Sequence, residues 1–143
     1  MKSRILLLLL IASTSLLSCK KDKQLAPDQL TVIKSQILAT WQLTSYKEVY
    51  YEANGTAVPS PEAEVSADSK FQFTDENTFK RFYPSEREFN YTLANVNGKV
   101  IMTLDGQPYE ISISNDTMTW YIEQELQDQT YVKATGTYQF KKL

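Results

Sequence analysis

The chain has 143 residues, with 15 Lys+Arg against 17 Asp+Glu and a formal net charge of −2. It has no histidine and one cysteine, which excludes Ser-His-Asp and Cys-His catalysis, His-ligated zinc or copper, and any disulfide within the chain. The mildly acidic balance lacks the basic run on which nucleic-acid binding depends. No cofactor motif or metal-ligand spacing is present, so any chemistry must use carboxylates, Lys, Tyr or Ser/Thr.

Lys2 and Arg4 precede an apolar run from Ile5 to Leu17. Its length suits a signal-peptide core and falls short of the ~20 residues that span a bilayer. The run closes on Leu16-Leu17-Ser18-Cys19, which resembles the lipobox of bacterial lipoproteins. The resemblance implies cleavage between Ser18 and Cys19, diacylglycerol on the Cys19 sulfur and palmitate-type acylation of the new amino terminus. One acyl chain binds membranes only marginally, whereas two or more anchor stably. Residues 1–18 are therefore expected to be a signal peptide and Cys19 a membrane anchor. Lys20 is not the aspartate that retains some lipoproteins at the inner membrane. The resemblance thus favours the outer membrane and leaves the facing side open.

Residues 19–34 are read as the lipidated cysteine, a tether and a short helix. Lys20 to Pro27 is polar and charged, and eight extended residues reach about 25–30 Å. Pro27-Asp28 opens the helix, with Leu30, Ile33 and Ile37 at helical spacing to lie against the core.

Residues 35–143 read almost wholly as β. Trp41 to Tyr46 alternates apolar and polar residues. A long loop rich in turn formers follows, from Asn54-Gly55 to Glu64. Phe71 to Phe73 turns through Asp75-Glu76-Asn77 into Thr78 to Tyr83, which Pro84 breaks. Phe89, Tyr91 and Leu93 alternate up to Asn97-Gly98, and Lys99 to Leu104 returns to Asp105-Gly106; both dipeptides favour type I′ hairpin turns. Tyr109, Ile111 and Ile113, then Met118, Trp120 and Ile122, form the next pair of strands. In the last strand Val132, Ala134, Gly136, Tyr138 and Phe140 share one face. About eight strands joined by short turns predict an antiparallel meander. Closure removes its exposed edges, so an up-and-down barrel is favoured over an open sandwich.

Ile37 to Ser45 resembles the opening of lipocalin-like domains, with Ala39 in place of the glycine of their Gly-x-Trp motif and Trp41 matching its tryptophan. Phe71-x-Phe73, Asp75 to Phe79, and Tyr109-x-Ile111 followed by Asn115 to Trp120 are similar to strands of small lipocalin-like lipoproteins of Bacteroidetes-type bacteria. The resemblance implies an eight-stranded barrel with Trp41 packed across its closed end. It also implies a terminal lysine, Lys141 or Lys142, over that ring.

Three functions stay open. An eight-stranded barrel has room for one small hydrophobic ligand or is filled by its own side chains; Phe73, Phe82, Tyr91, Tyr109, Trp120 and Tyr138 are the candidate lining. A monomeric envelope interaction module would act through Tyr50, Tyr51 and the loop from Glu52 to Asp68. An enzyme, the least favoured, would need paired carboxylates such as Glu123 with Glu125 or Asp75 with Glu76. Calcium at Asp116, Glu123, Glu125 and Asp128 lacks a recognised loop spacing.

Overall fold

The computed structural model describes residues 28–61 and 63–143. Ser18, Cys19 and the tether lie outside them. The first element is the helix α1 (Gln29–Ile37), followed by β1 (Thr40–Glu52), β2 (Ala57–Pro59), β3 (Lys70–Phe73), β4 (Thr78–Arg81), β5 (Arg87–Val96), β6 (Lys99–Leu104), β7 (Gln107–Ser114), β8 (Thr117–Glu125) and β9 (Tyr131–Lys142). β3 to β9 each pair with the next, β1 pairs with β3, and β1 meets β9 to close the sheet. The result is a closed, antiparallel, eight-stranded up-and-down barrel, as the meander predicts. The helix runs to Ile37, beyond the expected limit at residue 34.

The hairpin turns follow from their dipeptides. Asn97 and Gly98 have φ of 53° and 81°, and Asp105 and Gly106 have 49° and 79°. Two successive positive φ angles match the right-handed twist of the flanking strands. The expected long loop is interrupted by β2. A turn at Asn54-Gly55 folds Ala57–Pro59 back onto Val49–Tyr51 of β1, with the Thr56 amide donating to Asn54 Oδ1 at 2.7 Å.

β1 carries the closure. One edge pairs with β9 along almost its whole length. The other pairs with β3 at Thr40–Gln42 and with β2 at Val49–Tyr51. Leu43 pairs with Phe140 and Ser45 with Gln139, so Thr44 is an extra residue, a β-bulge. A bulge re-aims everything after it. Trp41 and Leu43 face the lumen before it, and Tyr46, Glu48 and Tyr50 face it afterwards.

α1 lies across one end, against β5, β6 and β7. Ile33 and Ile37 are buried, each worth about 1.5–3 kcal/mol of apolar burial. Trp41 is fully buried at this closed end. Its partner is the helix and not a lysine: Trp41 Nε1 donates to the Ile37 carbonyl at 2.9 Å. Lys141 and Lys142 are exposed, contrary to the expected cover, because the helix already occupies that side of the ring.

Candidate functional site

The lumen divides into a filled lower part and a partly open mouth. Phe73, Phe79, Tyr91, Trp120 and Phe140 are all buried and touch as a continuous ring cluster. Trp120 lies 4.5 Å from Phe140 between centroids, and Phe71 meets Trp120 edge-on at 5.7 Å. Offset and edge-to-face contacts of this kind suit aromatic quadrupoles. Of the candidate lining, Phe73, Tyr91 and Trp120 therefore belong to the packed core. Tyr91 donates its hydroxyl to the Asp75 carbonyl at 2.8 Å. Burial, then the acidic neighbours Asp75 and Glu76, push its pKa up to about 12.

Phe82 does not line the lumen. Phe79 and Arg81 share the inner face of β4, so Phe82 falls on the other side and is 38% exposed. The expectation followed apolarity where the two-residue period points to Arg81.

Tyr109 and Tyr138 do reach the mouth. With Tyr46, Glu48, Ile122, Gln124 and Gly136 they line a cavity of about 100 Å³. Tyr46 and Tyr138 stack with centroids 4.5 Å apart, and Tyr109 meets Tyr138 at 6.2 Å. Burial holds the Tyr46 phenol well above its ordinary pKa, with Tyr138 and the Glu48 carboxylate adding to it. Tyr109 is raised too, by burial, then Tyr138 and Asp105. These phenols stay protonated, able to donate and accept. Gly136 has ordinary backbone geometry and is small for reasons of space. A Cβ there would come 3.1 Å from Ile122 Cγ2 and 3.6 Å from the rings of Tyr46 and Tyr138.

Arg81 and Arg87 form a cross-strand pair on the inner face of β4 and β5, one step above the Phe79–Phe89 pair. The Arg81 guanidinium lies over the Phe89 ring, 5.1 Å from its centroid. Arg81 Nε is buried and meets no acceptor among the described residues. Neither arginine joins an ion pair among those residues.

The remaining candidates are scattered. Tyr50 packs on Tyr131 at 5.1 Å, whereas Tyr51 faces outward beneath Lys133 Nζ, 4.6 Å from its ring. Glu123 faces outward, 3.5 Å from Lys133 Nζ and accepting a bond from Tyr121. Asp75 Oδ1 accepts the Asn77 amide in its turn. Asp116 sits at the closed end, where its carbonyl accepts the Lys142 amide, remote from Glu123, Glu125 and Asp128 near the mouth. No group of three or more acidic, His or Cys side chains comes together among the described residues. Sequence reasoning missed Tyr46, Glu48, Arg81, Arg87 and Gly136. A charge on the Phe79 stripe and a slip of alternation near Thr44 were the available signals.

Compared with known protein families, curated proteins and solved structures, the chain matches none.

Proposed function

We propose that this chain is a lipid-anchored, non-enzymatic envelope protein, akin to small lipocalin-like lipoproteins, whose barrel binds one small ligand at its mouth. The observation that carries the reading is the cavity under Tyr46, Tyr109 and Tyr138, beside a glycine that leaves it room. Pockets of this kind combine aromatic walls with a few placed polar groups. Because rings already occupy the lower lumen, the ligand's hydrophobic part rests on tyrosine faces and its polar atoms meet phenols. Phenols with raised pKa values keep their protons at neutral pH and serve this site as hydrogen-bonding groups. Lipid on Cys19 supplies the membrane contact. The described chain starts at the closed end, where Asp28 Oδ1 accepts a bond from Asn95 at 3.2 Å.

The test is native mass spectrometry of residues 24–143 purified from the natural host, beside a Gly136→Val variant checked for folding by circular dichroism. A small molecule held by the parent and lost from the folded variant supports the reading. An empty parent sinks it. That outcome would favour a second reading, a packed barrel serving as an envelope interaction module. Trp120, only 4% exposed at the centre of the ring cluster, is the observation on its side.

A further inference from the structure

We infer that the mouth takes a small organic anion, a carboxylate or phosphate monoester with an apolar body, held by Arg81 and Arg87. The inference rests on the proposed reading of the mouth as a binding site and names the class of ligand it admits.

Arg81 and Arg87 are directly opposed on neighbouring strands, at the upper end of the face that carries Phe79 and Phe89. Arg81 is half-buried, Arg87 is exposed, and both stand beside the tyrosine cavity's lining and not within it. Like charges so placed repel, and neither arginine is ion-paired among the described residues. Glu86 and Glu88, next in the chain, lie by the other face of the strands, where Glu86 pairs with Lys80 at 3.4 Å. The two buried side-chain atoms left without partners, among the described residues, are Arg81 Nε and Trp120 Nε1. Both are donors and both sit on lumen-facing residues. Phe71 links them: it is the cross-strand neighbour of Arg81 and its ring meets Trp120 edge-on. What this face lacks is an acceptor.

The Arg81 guanidinium lies over the Phe89 ring, and it carries a planar fork of donors. Such forks match the two oxygens of a carboxylate or phosphate. Phe71 and Phe89 flank it and offer apolar surface to the rest of the ligand. Glu48, on the tyrosine side of the mouth, repels an anion there and so orients it toward β4 and β5.

The experiment is a titration of residues 24–143 with benzoate, phenyl phosphate, inorganic phosphate and the neutral benzyl alcohol, read by calorimetry and by tryptophan fluorescence. Binding of benzoate or phenyl phosphate well above benzyl alcohol is expected, and the stronger of the two anions identifies the headgroup. Inorganic phosphate binding as tightly as phenyl phosphate would overturn the apolar-body part. Arg81→Met should weaken anion binding about tenfold or more, the usual effect of losing a charge-assisted hydrogen bond. Arg87 is exposed, so Arg87→Met tests the same site without disturbing the core. Equal binding of benzoate and benzyl alcohol, unchanged by either substitution, would overturn the anion site and leave a ligand-binding mouth standing. Binding of none of the four probes, in a protein that also retains no host molecule, would overturn both.

Discussion

Trp41 and Ile37, four residues apart, are joined by one hydrogen bond from the indole to the main-chain carbonyl, with both side chains fully buried. The bond fixes α1 to the start of β1, and the helix seals the barrel through it. Trp41→Phe keeps much of the ring but leaves the Ile37 carbonyl without its donor. The expected cost is about 1–3 kcal/mol, seen as a lower urea midpoint with an unchanged slope. A midpoint equal to the parent's would show that the bond contributes nothing.

Gly98 tests the hairpin argument cleanly. A Cβ at this position meets nothing within 4 Å, yet φ is +81°. Gly98→Ala should therefore destabilise through backbone conformation alone, by roughly 1–2 kcal/mol. Calorimetric melting would register it as a lower Tm.

The buried phenols make stability fall at high pH. The folded Tyr91 has a pKa of about 12 against an ordinary 10.0, and Tyr46 and Tyr109 are also raised. Above pH 10 the unfolded chain loses these protons while the folded chain keeps them. Their contribution is complete below pH 10 and is lost as pH climbs through the folded values. The slope is up to about 1.4 kcal/mol per pH unit for each phenol. Tyr91→Phe should lose about 1 kcal/mol at neutral pH with its hydrogen bond and flatten the alkaline decline. Urea midpoints between pH 8 and 12 would decide it; parallel curves would refute the assignment.

Cys19→Ala should abolish incorporation of a labelled fatty acid and leave either an unprocessed precursor or a soluble product. Continued membrane attachment of the processed chain would remove lipid as the anchor.

Much of the barrel was legible because alternation and turn chemistry agree along its second half. Tyr109-Ile111-Ile113 and Met118-Trp120-Ile122 keep a strict period of two, and the glycine turns fix their register. The mouth was harder to read, for a physical reason. The extra residue at Thr44 shifts the phase of β1, so a plain alternation from Trp41 places Tyr46 outside. At β4, a preference for apolar lining selects Phe82 when the register selects Arg81. β2 was hidden by its turn-forming composition, since its pairing depends on the long upper half of β1. The helix was visible as an apolar stripe, but its bond to Trp41 depends on tertiary approach.

The unequal strand lengths have a consequence for traffic into the barrel. β9 and β1 run to 12 and 13 residues, whereas β3 and β4 have four each. The rim thus drops from the tall β9–β1 pair to a low sill beside it, and the sill is where Arg81 stands. On the proposed reading, a ligand entering over the sill would pass the arginines before it met the tyrosines, and selection by charge would come at the threshold, ahead of any fit inside.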